Sequence, residues 1–443
     1  MDYLMRRLLI ISAIFIFCPL AWAENPKILR LDLNTVFKIA QERNIDMILA
    51  DERVEQAISL LGQNASNFYP QLNGSISGFR KTRDLRSSGI TFSGQGPKVG
   101  PFNNFDARLQ ISQTLFDPVT IARFHAASMN HELTVVEREK IKQDILVLAA
   151  TLFIDYQRAF QTQQLTKILL DRDAKKNEVA RHKFQSGLAT DLESQQAQDT
   201  YEKSLLNFQH AQTEALTKKL DLLAILGIDD NQSIEFVDDN ACTLKNPLDS
   251  KISESHVDIK LAQQQVELDK KKSIIEESGY WPKVSALADY GPNGESFDNS
   301  SETYSVGVEA SVPIFEGGNR QARLDEARSR IRASNAVLND ERNQVHLKIK
   351  KSEKLLEQAE MDLKEAGNKL NLARKDLAIM VNQLRQGTAS EEDLIEKRAY
   401  EAEVKDNFDE AKSNLLLAKI NLLRALGKMD EILELCKETL EKK

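Results

Sequence analysis

Gly187–Gly227 aligns with Gly387–Gly427 without a gap at an offset of 200 residues, and 11 of the 41 aligned positions are identical. The matches include Gly187/Gly387, Asn207/Asn407, Phe208/Phe408, Leu222/Leu422, Leu226/Leu426 and Gly227/Gly427. The chain therefore carries one structural unit twice. Upstream of each copy run about 65 helix-compatible residues, and before those a pair of alternating polar and apolar segments. A chain built this way has to place two strand pairs and two long helical hairpins in one body.

The ends of the unit repeat as well. Leu31–Gly62 has helical apolar spacing through Leu33, Val36, Phe37, Ala40, Ile48 and Leu49, with Asn34 as a candidate cap, and Asn67-Phe68-Tyr69-Pro70 stops it. Ile252–Ser278 followed by Gly279-Tyr280-Trp281-Pro282 plays the same part in the second half. This gives units at 24–227 and 254–427, a linker at 228–253 and a C-terminal segment at 428–443.

Strand character is clearest where Phe105, Ala107, Leu109 and Ile111 alternate with Asp106, Arg108, Gln110 and Ser112. Tyr304, Val306, Val308, Ala310, Val312 and Ile314 alternate in the same way with Thr303, Ser305, Gly307, Glu309 and Ser311. Segments of about ten residues with this period suit tilted membrane strands, one face on lipid and the other on a wet lumen. Their expected partners are Gln71–Arg80 and Lys283–Tyr290, joined through loops Lys81–Asn104 and Gly291–Glu302. Asp117-Pro118 and Gly317-Gly318-Asn319 then open the proline-free helical stretches Val119–Ser186 and Arg320–Gln386. Gly187 and Gly387 reverse them, and helices Leu188–Leu226 and Thr388–Leu426 return. Rods of about 67 residues span roughly 100 Å, which favours coiled-coil packing against neighbours over burial in a globule.

Residues 1–23 read as an export signal: Arg6 and Arg7, the apolar run Leu8–Phe17, then Ala21-Trp22-Ala23. Phe17 stands where lipid attachment at Cys18 requires a small residue. Removing Asp2, Arg6 and Arg7, a net +1, takes the formal charge from −8 to −9, which argues against nucleic acid as a partner. No later segment has 18 successive apolar residues, so a membrane crossing has to be made by strands in the outer membrane. The remaining cysteines, Cys242 and Cys436, each follow a repeat-closing Leu-Gly, leaving either a disulfide between them or two separate thiols.

Four strands cannot close a barrel, and an open edge in lipid leaves backbone groups unpaired at several kcal/mol each. Three copies give twelve strands, an even number that leaves a lumen, and the same symmetry rings the hairpins into a second tube. The expected fold is thus an α+β membrane protein, a homotrimeric outer-membrane β-barrel continuous with a periplasmic α-helical barrel. The alternative is a periplasmic coiled-coil scaffold without channel activity. Histidines 125, 131, 182, 210, 256 and 346 show no helical metal-site spacing, and neither a catalytic constellation nor a phosphate loop is visible, so no enzyme activity, metal or cofactor is expected.

The strand starts Asn-Phe-Tyr-Pro and Tyr-Trp-Pro, the run Val312-Pro-Ile-Phe-Glu-Gly-Gly318, the turns Phe184–Leu188 and Leu384–Thr388 and the terminal Leu-Gly pairs resemble the TolC-like outer-membrane factor (outer-membrane efflux protein) family. The resemblance implies a trimeric channel whose periplasmic tip docks an adaptor (membrane fusion) protein and an inner-membrane RND-type or ABC-type transporter. It also implies a gate. Asp393 and Glu396 match the family's lumen-facing acidic ring, and Glu193 matches the acidic position of the first tip turn, although Glu391, Glu392 and Asp393 equally suit a helix N-terminus. The family's latching tyrosine and arginine align with Leu384 and Ala389, so a closed tip needs other bonds here. Gly187, Leu188, Gly387 and Thr388 match the exposed turn that docks the adaptor.

Overall fold

The computed structural model describes residues 29–84, 98–229, 234–236, 256–429 and 432. The expected export signal, Cys242 and Cys436, and most of the linker and C-terminal segment lie outside the described residues.

A short strand β1 (Leu29–Leu31) runs parallel to β4 (Ile234–Phe236) and precedes helix α1 (Leu33–Arg43). Asp32, not Asn34, caps that helix: its carboxylate accepts from the Thr35 amide at 2.7 Å. Helix α2 (Ile45–Ser66) follows separately, because Asn44 leaves helical geometry at ψ 133° and caps the new helix through its side chain. The single helix expected over Leu31–Gly62 is therefore two. The apolar period is continuous across Asn44 and hides the break.

Strands β2 (Gln71–Asp84) and β3 (Lys98–Phe116) form one hairpin, β5 (Lys283–Gly294) and β6 (Ser300–Ser311) the other. β2, β3 and β5 extend beyond the alternation, whereas β6 begins before Tyr304 and ends at Ser311, leaving the expected Val312 and Ile314 outside the strand because Pro313 has no amide to pair. β3 pairs antiparallel with β5, which fuses the two repeats into one sheet of order β2-β3-β5-β6. Among the described residues, the outer edges of β2 and β6 pair with no other strand.

Helices α3 (Pro118–Gln185) and α6 (Asn319–Arg385) leave the sheet, and α4 (Asp191–Leu226) and α7 (Glu391–Leu426) return. At 1.5 Å per residue the outgoing rods are roughly 100 Å long. The returning helices start three residues later than expected, because Leu188–Thr190 and Thr388–Ser390 complete the reversal. The repeated helix α5 (Val257–Ser278) has the same 22-residue length as α2 and stands in the same place before an aromatic-Pro stop.

The main core lies at mid-height, where the ends of both hairpins meet the first unit. Leu33 and Phe37 from α1, Leu146, Phe153 and Ile154 from α3, Leu222 and Leu226 from α4 and Ile420 and Leu423 from α7 are almost wholly buried together. Elsewhere the rods keep apolar stripes uncovered, with Val337, Leu347 and Leu372 more than 60% exposed. Among the described residues no helix is long and apolar enough to cross a membrane.

Candidate functional site

Two regions are candidates for function: the sheet and the hairpin tips. Register divides the sheet cleanly into two faces. Leu72 pairs with Ile111, Ile111 with Ala288 and Ala288 with Val306; Leu109 pairs with Tyr290 and Tyr290 with Tyr304. These side chains share one face, and Ile76, Tyr304 and Val306 are 78–80% exposed in the single chain. The opposite face carries Asn73, Gln110, Asp289 and Ser305 in one paired row and Ser77, Asp106, Asn293 and Ser301 in another. Arg108 lies between those rows, with Nε donating to Asp106 Oδ1 at 2.8 Å, Nη1 to Asp289 and Nη2 to Thr303 at 3.2 Å. Asn293 donates to the other Asp106 oxygen and Ser305 to Asp289. A face this rich in paired charge is a wet wall, while the aromatic and β-branched face suits hydrocarbon.

At the tips, Gly187 and Gly387 take left-handed φ of 71° and 74°, which permits the reversal without steric cost. Leu188 and Thr388 donate their amides back to Lys183 and Gln383 carbonyls, closing each outgoing helix. Leu188 is 79% exposed at the extremity. The capping residues repeat in step: Glu193 accepts from the Thr190 amide at 2.7 Å and Asp393 from the Ser390 amide at 3.0 Å, each within a capping box. Hydrogen bonds from the Thr190 backbone and hydroxyl hold the Glu193 carboxyl below its usual range. Those from the Ser390 hydroxyl and backbone do the same for Asp393. In the single chain both therefore stay ionised at neutral pH, and their caps weaken only as pH falls through these lowered values.

Glu396 is placed differently. It pairs across to Lys176 on α3 and lies 4.0 Å from Arg172, while Glu403 lies 3.9 Å from the same guanidinium and Glu392 3.7 Å from Lys183. Arg172 also donates from Nε and Nη2 to Asp173, at 2.7 and 3.0 Å, and Ser204 on α4 donates to Asp173 too. Burial opposes ionisation of Asp173, yet these hydrogen bonds outweigh it and keep the carboxyl below the usual range. One network thus ties α3 to α4 and α7, joining the first hairpin to the second. Sequence reading singled out Glu396 but not Arg172, Lys176 or Lys183. Their spacing of four and then seven residues along α3, one helical face, was the available signal.

An open sheet with one apolar and one wet face, carried on roughly 100 Å helical hairpins, defines a subunit of an outer-membrane channel with a periplasmic duct. The chain belongs to the outer membrane efflux protein family, whose model matches residues 36–228 and 248–428. It is an outer-membrane efflux channel of the tripartite export type and not an enzyme. The fold is similar to the Campylobacter jejuni CmeC outer membrane channel, at 18% identity and TM-score 0.76 over 91% of this chain and 89% of that one. It is also similar to the outer membrane protein VceC of Vibrio cholerae, at 18% identity and TM-score 0.69 over 89% and 96% of the two chains. The open state of the Neisseria gonorrhoeae MtrE outer membrane channel matches at 15% identity and TM-score 0.70, over 90% of this chain and 89% of that one. No curated protein sequence matches. The channel reading therefore displaces the alternative of a non-conducting scaffold.

Proposed function

We propose that three copies close into a twelve-stranded barrel and a continuous helical duct, which receives cargo from a periplasmic adaptor and an inner-membrane RND-type or ABC-type transporter. The observation that carries this reading is the pair of sheet edges, β2 and β6, left open among the described residues beside a face that exposes Leu72, Ile76, Leu109, Tyr304 and Val306. In lipid each unpaired backbone group costs several kcal/mol, and edge-to-edge closure with identical neighbours removes that cost for every copy at once. The same closure covers the apolar stripes of α6. Residues 1–23 serve as the export signal, and the two repeat units, 24–227 and 254–427, act as the pseudo-symmetric halves of each subunit.

In this reading the tip is the gate, and the α3–α7 ion pairs hold it shut in place of the latch that Leu384 and Ala389 cannot form. Glu396 is the pivotal carboxylate. Asp393 and Glu193 fix the helix starts beside it and add negative charge around the aperture. Exposed ion pairs are individually weak, so Glu396→Gln is expected to raise open probability in planar bilayers by roughly two- to fivefold. The charge reversal Lys176→Glu with Glu396→Lys should restore the closed state. An unchanged open probability in Glu396→Gln would remove Glu396 from the gate.

The turns Gly187-Leu188 and Gly387-Thr388 are the docking points for the adaptor. Leu188→Asp with Thr388→Asp should abolish adaptor cross-linking and export while leaving channel conductance intact, since Leu188 is exposed and the Thr388 amide still closes α6 on the Gln383 carbonyl when the hydroxyl bond is lost. Export at the wild-type level in that variant would place docking elsewhere.

A further inference from the structure

Asn44 and His256 hold the same place in the two repeats. Each immediately precedes a 22-residue helix, α2 or α5, and each packs on the end of its own returning helix. Asn44 Nδ2 donates to the Ile225 carbonyl at 2.9 Å, and His256 Nε2 lies 3.0 Å from the Ala425 carbonyl, the equivalent atom of the second hairpin. The helix-ending glycines agree: a Cβ on Gly227 would meet the Arg43 carbonyl oxygen at 3.2 Å, and one on Gly427 would meet His256 Cα at 3.2 Å. The two hairpins are therefore anchored at their upper ends by one joint, built once with an amide and once with an imidazole.

The chemistry of the two anchors differs. Asn44 spends both ends of its amide, since Oδ1 also accepts from the Asp46 amide at 2.9 Å. A carbonyl only accepts, so His256 Nε2 carries the proton and Nδ1 is left bare. Nδ1 is buried without a hydrogen-bond partner, in a residue 1% exposed, 3.9 Å from Asp258. The surroundings are already charged. Asp258 on α5 is held by Arg424 of α7 at 3.1 Å and by Lys140 of α3 at 3.3 Å. Asp144 of α3 binds the same Arg424 at 2.8 Å, and Lys348 of α6 also acts on the imidazole. Lys348 in turn lies 3.8 Å from Glu341, so three cations and three carboxylates already balance before His256 takes a proton.

We propose that His256 makes the upper anchor of the second hairpin acid-labile, whereas the Asn44 anchor of the first hairpin is indifferent to pH. A proton on Nδ1 adds a buried imidazolium to a knot whose charges are already paired, and it competes with Arg424 and Lys140 for Asp258. The tie of α7 to α5 through Arg424 and Asp258 then weakens, while Arg424 keeps Asp144 of α3. Because α7 also carries Glu392, Glu396 and Glu403, acid loosens from above the same helix whose carboxylates meet α3 at the tip.

Burial, and then Arg424 and Lys348, keep the imidazole below its ordinary value of 6.5 against the pull of Asp258 and the Ala425 bond. An unfolded or detached histidine takes its proton near 6.5 while the anchored one resists. The anchor's contribution is therefore complete above that value and is lost progressively as pH falls below it.

Hydrogen exchange on the assembled full-length protein at about pH 7.5 and about pH 5.5 tests this, with intrinsic rates corrected. Amides of Leu422–Gly427 and Val257–Leu261 are expected to lose protection on acidification, by up to about tenfold per pH unit. Leu222–Gly227 and Ile45–Leu49 in the same molecule should not. His256→Asn, which copies the first anchor, should make both respond alike. Equal acid responses of the two wild-type anchors, or an undiminished acid response in His256→Asn, would overturn the proposal. If that variant fails to assemble, the comparison of the two wild-type anchors decides alone.

Discussion

Val308→Arg is expected to abolish insertion into the outer membrane, whereas Glu309→Arg, one residue along the same strand, should leave it intact. Val308 pairs with Ala286 on the apolar face, between the Tyr290–Tyr304 pair towards one rim and Tyr280, Trp281 and Phe315 towards the other. That places it near the middle of the hydrocarbon layer. An arginine there costs about 2–4 kcal/mol per copy, and closure into an oligomer repeats the cost in every subunit. Glu309 pairs with Ser285 on the opposite, polar face, where a long cation stays hydrated. The measurement is the heat-modifiable oligomer band in outer-membrane extracts. Loss of the band in both variants, or in neither, would show that the two faces of β6 are not lipid and lumen.

The second large effect is expected at mid-height. Phe153 is 2% exposed in the cluster that joins α1, α3, α4 and the C-terminal end of α7. Truncating a buried phenylalanine removes its transfer energy and leaves a cavity, together about 3–5 kcal/mol. Because both hairpins end on this cluster, Phe153→Ala should lower the heat-dissociation midpoint of the oligomer and expose α4 and α7 to proteolysis together. A midpoint indistinguishable from wild type would mean that the hairpins are held chiefly by their neighbours in the assembly and not by this core.

Much of the architecture was legible because its causes are local. The two-residue period of Phe105–Ile111 and Tyr304–Ala310 marks strands whose faces meet different solvents, and the glycines at 187, 227, 387 and 427 mark sharp ends that only a left-handed residue makes cheaply. The capping pairs Thr190–Glu193 and Ser390–Asp393 stand at the spacing of a capping box, yet the returning helices were expected from Leu188 and Thr388, ahead of those caps. The break at Asn44 was not legible, because the apolar spacing of α1 continues through it into α2. Nor did alternation reach the outer parts of β2 and β3, where backbone pairing persists without an apolar face.

The candidate tip was read only in part. Asp393, Glu396 and Glu193 were identified by position after the turn glycines, but position does not tell a carboxylate closing a cap from one reaching a neighbouring rod. Local hydrogen bonding claims Asp393 and Glu193, and the α3 bases claim Glu396.

By itself the sequence determined the duplication, the strand faces, the rods and the need for partners, since each follows from periodicity, chain geometry and the cost of unpaired backbone in lipid. Only the tertiary structure decided that β3 pairs with β5, that Arg172, Lys176 and Lys183 meet α7, and that Asn44 and His256 anchor equivalent joints. Those contacts join residues far apart in the chain, and their partners are chosen by packing in three dimensions, which no local pattern of residues encodes.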